Sequence, residues 1–118
     1  MAKEMQTMAQ KVTNLSELKA VLGQVFQADK AAGVEAVFQM DLAGADDGQF
    51  WILVNDGAYE MGEGLHDEAS ITLLANAEDF LKMVNGEMAA MQAFMSGKLK
   101  VKGDMGLALK FQSIFPTN

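Results

Sequence analysis

The sequence predicts an α+β fold with about five strands and four helices. Apolar residues recur at helical spacing between positions 15 and 26, with polar residues filling the opposite side. Beyond Gly33 the period shortens to strict alternation, and three alternating segments follow one another with turn signals between them. Helical patterning returns near position 77 and is broken by one further strand between Lys98 and Lys102. Strands joined without helical crossovers describe an antiparallel meander, and the helices around them complete the α+β order.

The first helix is expected from about Leu15 to Ala28. Asn14 and Glu17 make a capping-box-like start, and Leu15, Leu18, Val21, Leu22, Val25 and Phe26 form one apolar stripe. In the first strand Val34, Ala36, Phe38, Met40 and Leu42 point one way, with Glu35, Gln39 and Asp41 turned to water. Asp47-Gly48 signals a hairpin turn into QFWILVN. Phe50, Ile52 and Val54 line one side of that second strand and Trp51 and Leu53 the other, as expected of a central strand or of one facing a partner. Asn55-Asp56-Gly57 then turns into a short third strand near Tyr59 to Gly62.

After the polar loop EGLHDE a fourth strand is expected from Ser70 to Leu74. Asn76 is read as the cap of the helix AEDFLKMVN, which carries acids in its first turn and stops at Gly86. Met88, Met91, Phe94 and Met95 mark a short helix ended by Gly97. The strand KLKVK follows, with Leu99 and Val101 inward and three lysines outward. The last helix, Met105 to Phe115, is polar only at Lys110, Gln112 and Ser113. A helix apolar nearly all round is buried in a core, inserted in a membrane, or closed over a ligand.

Composition narrows those options. A chain of 118 residues is of common domain size, so a single domain over 1–118 is expected, with the aperiodic residues 1–12 frayed. No stretch is long and apolar enough to span a bilayer, and MAKEMQTMAQK lacks the apolar run of a secretory leader. Cysteine is absent, which excludes thiolate chemistry and agrees with a cytoplasmic location. The net charge of −7 argues against nucleic acid as a partner. From Lys98 onward four lysines meet one acid, Asp104, a local charge of +3 that leaves −10 on the preceding residues.

Candidate chemistry is sparse. His66, the single histidine, lies among Glu60, Glu63, Asp67 and Glu68, but one imidazole in a glycine-bounded polar loop supplies too few ligands for a metal and reads as a solvated turn. The serines have no histidine at a recognisable spacing, and Gly103-Asp104-Met105-Gly106 lacks the spacing of a phosphate cradle. No enzyme activity, cofactor or metal is expected. Ten methionines, several on inward faces, leave two readings open: core filler, or an adaptable wall for a variable apolar ligand.

The run AFMSGKLKVKGDMGLALK, from Ala93 to Lys110, resembles the C-terminal signature of the sterol carrier protein 2 family, A-F-x-x-G-K-L-x-[VI]-x-G-[DN]-M followed by an apolar helix. Upstream, AEDFLKMVNGE resembles the family's S-D-x-D-F helix, and FWILVNDG its second strand, W-x-[VI]-D-[VL]-x-x-G. The resemblance implies a five-stranded, mainly antiparallel sheet with helices on one face around an apolar tunnel for fatty acid, acyl-CoA, sterol or phospholipid. Carried over by position, it implies tunnel-lining roles for Phe38 and Met40 on the first strand and for Phe50, Ile52 and Val54 on the second. Phe80 and Val84 would line it from the middle helix, Met91, Phe94 and Met95 from the short helix, and Met105, Leu107, Leu109, Phe111 and Ile114 from the last, which would act as a lid.

Two departures qualify the resemblance. Ala90 and Met91 stand where the family usually has proline and glutamine, so a drier lining is expected. Trp51 and Leu53 replace small or acidic outward residues, which leaves a homodimer surface and a face covered by the chain's own loops as alternatives. Lys98, Lys100 and Lys102 serve either to attract an anionic headgroup or, transiently, a membrane surface near the tunnel mouth, or to protect a sheet edge. The expected function is therefore a lipid carrier. The competing reading is a dimerisation or enzyme-accessory module with a fully packed interior.

Overall fold

The computed structural model describes residues 12–115, so the expectation of a frayed segment falls, for positions 1–11, outside the described residues. Val12 is buried. Its N–H donates to Asn85 Oδ1 at 2.7 Å, and Asn85 Nδ2 donates back to its carbonyl at 2.9 Å. The chain continues as α1 (Leu15–Val25), β1 (Glu35–Ala43), β2 (Gln49–Asn55), β3 (Ala58–Glu63), β4 (Ile71–Asn76), α2 (Ala77–Val84), α3 (Ala90–Met95), β5 (Leu99–Gly103) and α4 (Met105–Ile114). Five strands and four helices are thus seen among the described residues, as the patterning predicts.

Local chemistry fixes most element ends. Asn14 Oδ1 accepts from the Glu17 N–H at 2.8 Å, and the Glu17 carboxylate accepts from both the N–H and the hydroxyl of Thr13 at 2.9 Å. Those two Thr13 bonds, the backbone one first, hold the Glu17 carboxyl below the usual carboxylate range. The Asn55–Ala58 turn has positive φ at both Asp56 and Gly57, the geometry that matches strand twist in a two-residue hairpin. Helix α1 stops at Val25, earlier than expected. Phe26 turns extended, and the next residue, Gln27, donates its N–H to Ile114 at 2.8 Å, which ties α1 to the end of α4. Asn76, the last residue of β4, precedes α2 but makes no side-chain cap bond.

The strands form one sheet in the order β3-β2-β1-β4-β5, antiparallel throughout except for the parallel pair β1–β4. The meander exhausts one side of β1, so the chain must cross the sheet to reach the other. Residues 64–70 make that crossing on the sheet's outer face, opposite the helices. This overturns one sequence expectation. Gln39, assigned to water by alternation, is only 2% exposed. Its amide nitrogen donates to the carbonyls of Phe50 at 3.1 Å and Gly64 at 3.0 Å, and its Oε1 accepts from the His66 N–H at 2.8 Å. A buried glutamine is tolerated because every polar atom is paired.

Trp51 shares that outer face and is half-buried, with its ring centroid 4.8 Å from His66. It lies over Gly62, its cross-strand partner, where a Cβ would overlap the indole. Glycine is required there by contact, not by backbone angle.

The inner face carries the core. Phe38, Met40, Phe50, Ile52 and Val54 project from β1 and β2 onto Leu18 and Leu22 of α1 and Ile114 of α4, all nearly or wholly sealed from solvent. An aromatic stack closes the packing: Phe38 to Phe111 at 5.2 Å, Phe111 to Phe115 at 5.1 Å, Phe115 to Phe26 at 5.3 Å and Phe26 to Tyr59 at 4.6 Å between centroids.

Candidate functional site

Because α1 and the C-terminal half of α4 fill the space over β1 and β2, the remaining room lies toward β4 and β5. An apolar cavity of about 620 Å³ sits there. Leu73, Leu99 and Val101 form its floor, placed by strict alternation on the inner face of β4 and β5. Phe80, Met83 and Val84 of α2 form one wall. The α2–α3 connection and α3 add Gly86, Met88, Ala89, Ala90 and Met91, while Ala108, Leu109, Phe111 and Gln112 of α4 close the opposite side. Leu22 and Phe115 reach its inner end. Among the described residues Gln112 is the only polar side chain on the wall, so the cavity offers dispersion and dehydration with little directional bonding.

The residues implied as lining divide into three groups. Phe80, Val84, Met91, Leu109 and Phe111 lie on the cavity wall. Phe38, Met40, Phe50, Ile52, Val54 and Ile114 are packed core and do not reach it, and Leu107 is half-buried against that core. Phe94, Met95 and Met105 project into solvent away from the wall. The core group is displaced because α1 and the aromatic stack seal the inner face over β1 and β2, while the cavity lies between β4–β5 and α2, α3 and α4. Leu99, Val101, Met83 and Met88 were legible as inward positions, but nothing in their pattern separated a cavity wall from a packed core. Leu22 was legible only as part of the apolar stripe of α1, and Leu73, Ala108, Gln112 and Phe115 carry no such signal beyond being apolar or helical.

The rim is unusually apolar. Met91 is 65% exposed and Leu109 64%, and both line the cavity; Met95 at 79%, Phe94 and Met105 are open to solvent on the same two helices but off the wall. Helix α3 is held through Ala93, which is buried and whose carbonyl accepts the Lys98 N–H at 2.8 Å. At the start of α4, Asp104 accepts from the Gly106 N–H at 2.8 Å. The end of that helix is locked in the aromatic stack, so the helix as a whole is poorly suited to act as a lid.

Leu99 and Val101 face the cavity, so Lys100 and Lys102 leave from the outer face opposite Leu74 and Thr72. β5 is a sheet edge, a position where lysines disfavour pairing with another strand. Elsewhere, His66 Nδ1 accepts from the Glu68 N–H at 3.0 Å, and among the described residues no group of three or more His, Cys, Asp or Glu is gathered to hold a metal. No helix of the described residues is long and apolar enough to cross a membrane.

With this geometry in hand, comparison with known proteins is specific. The profile of the SCP-2 sterol transfer family matches residues 13–116. Hydroxysteroid dehydrogenase-like protein 2 of Xenopus tropicalis is 33% identical over 110 residues, covering 92% of this chain and 26% of that protein. The human protein of the same name is 33% identical over 87 residues, covering 73% and 21%. The chain thus spans about a quarter of the length of these curated relatives. Among solved structures, Sterol Carrier Protein 2 Like 2 of Aedes aegypti shares the fold at a TM-score of 0.62 and 20% identity, over 82% of this chain and 91% of that one. The sec-alkylsulfatase Pisa1 of Pseudomonas sp. does so at 0.69 and 17%, over 80% of this chain but 15% of that one.

Proposed function

The chain belongs to the SCP-2 sterol transfer family, and on that premise we propose that it is a non-catalytic carrier that holds one long-chain apolar molecule in the cavity beneath α3 and α4. Fatty acid, acyl-CoA, sterol and phospholipid all fall within the ligand class. The observation that carries the reading is the coincidence of family membership with an apolar space of about 620 Å³, within the usual range for small-molecule sites. One relevant neighbour is described as palmitated SCP2L2 from Aedes aegypti, 22% identical to this chain.

The energetics select for length. Each buried methylene contributes about 0.8 kcal/mol, so about ten supply about 8 kcal/mol gross. Micromolar binding needs about that much net, after association entropy is offset. Short apolar metabolites therefore bind poorly. Ligand access is assigned to α3 and the first turns of α4, where the wall is thin and the apolar side chains already meet solvent, while the Phe111–Phe115 end stays fixed.

The dimer reading has less support. Trp51 and Leu53 are half-buried, and Trp51 is engaged by Gly62 and His66, whereas five exposed apolar side chains, Met91 and Leu109 on the cavity wall among them, lie on α3 and α4. An accessory role is compatible with carriage, because similar domains occupy parts of longer proteins named as dehydrogenase-like and as an alkylsulfatase. In that setting the cavity would hold an apolar substrate for a neighbouring active site. Native mass spectrometry of the gently purified protein tests the proposal. A monomer carrying a lipid-sized adduct that organic solvent removes is expected, and a lipid-free dimer that gains no adduct when incubated with long-chain lipid would overturn it.

A further inference from the structure

We propose that the cavity also reduces hydroperoxides of the long-chain lipids it admits, with the thioethers of Met83, Met88 and Met91 as the reductant; this rests on the lipid-binding reading above. Ten residues of the chain are methionine and none is cysteine, so thioethers are its only sulfur reductants. Three of them, from α2, the α2–α3 connection and the first turn of α3, line one apolar space. Met83 and Met88 are half-buried and Met91 stands at the rim, whereas Met95 and Met105 point into solvent and Met40 is sealed in the core. The methionines are therefore sorted by which oxidant can reach them.

The chemistry balances without another reactant. An oxidised acyl chain carries its hydroperoxide part-way along the chain, so insertion brings that group between the cavity walls while a polar headgroup stays at the mouth. The sulfur lone pair attacks the terminal peroxide oxygen, the O–O bond breaks, and an S=O bond forms. The peroxide proton ends on the remaining oxygen, giving a lipid alcohol. Methionine loses two electrons and the hydroperoxide gains them. Holding both partners in one cavity replaces a slow bimolecular encounter with an oriented one. The sulfoxide is polar and enzymatically reducible, so oxidation weakens the apolar wall, favours release of the alcohol, and is reversible by methionine sulfoxide reductases.

The test uses delipidated protein treated in parallel with hydrogen peroxide and with linoleic acid hydroperoxide, while binding of unoxidised linoleic acid is measured on the same preparation. Peptide mass spectrometry reads the sulfoxide at each methionine, and chromatography reads the lipid alcohol. Hydrogen peroxide should oxidise Met95 and Met105 ahead of Met83 and Met88. Linoleic acid hydroperoxide should reverse that order by about tenfold and be suppressed by excess linoleic acid. Met83→Leu combined with Met88→Leu should lose most alcohol formation yet still consume hydrogen peroxide at Met95 and Met105. Binding of linoleic acid with the same oxidation order for both oxidants would overturn this inference and leave the carrier intact. Absence of linoleic acid binding would overturn both.

Discussion

The two ends of α4 are built from the same kind of side chain and do different work. Toward its C-terminus Phe111, Ile114 and Phe115 are buried, the two rings stack with Phe38 and Phe26, and the Ile114 carbonyl is bonded to Gln27 across the fold. Toward its N-terminus Met105 and Leu109 stand exposed beside an equally exposed α3. Hydrophobicity alone does not distinguish the halves. What distinguishes them is the neighbour: Phe111 and Phe115 pack ring against ring and turn only one side to the cavity, whereas Leu109 stands exposed on the cavity wall and Met105 in solvent. Stability should therefore reside in the first region and ligand handling in the second.

The largest expected effect breaks the packed side of that comparison. Phe38→Ala removes a fully buried ring from under Phe111 and should cost about 3–5 kcal/mol, read as a lowered urea midpoint with little change in slope. Next comes the outer face. Gln39→Leu leaves the His66 N–H and the Gly64 carbonyl without their partner and should cost about 1–3 kcal/mol. Faster amide exchange at His66 should accompany it, and unchanged exchange there would remove the crossing loop's dependence on Gln39.

A smaller stability effect with a larger binding effect would sharpen the contrast. Met91→Asp places a carboxylate at an exposed position in the first turn of α3, where it is tolerated, so stability should change by less than about 0.5 kcal/mol. Affinity for a long-chain fatty acid should nevertheless fall by about tenfold or more, since the charge borders the apolar wall. Equal losses of stability and affinity would erase the distinction between the regions.

The smallest effect concerns pH. Thr13 lowers the folded-state pKa of Glu17 below its unfolded value, so the stabilisation is fully present above the ordinary carboxylate pKa and is lost as pH falls through the lowered folded value. Glu17→Gln should flatten that part of the acid limb in thermal unfolding. An unchanged acid limb would assign the slope to other carboxylates.

Much of the fold was legible because local signals agreed. The Asp56-Gly57 turn, the alternation of β1 and β2, the glycine stops at Gly86 and Gly97 and the stripe of α1 each carry their own chemistry. Features set by long-range placement were not legible. Alternation gives Gln39 the outer face but cannot say that residues 64–70 will cover it. Likewise an apolar position such as Ile52 or Leu99 is recognisable as inward, while the choice between core and cavity depends on which helix arrives above it. Five of the fifteen positions implied by resemblance lie on the wall; six are packed in the core, Leu107 is half-buried against it, and three are turned to solvent.

The most direct test of the carrier reading is a titration of delipidated protein with a fluorescent long-chain fatty acid, followed by displacement with its unlabelled counterpart. Saturable binding at about one equivalent, displaced by long chains and not by short ones, is the predicted result. Binding that never saturates, or none at all, would contradict it and leave the cavity without a ligand of this class.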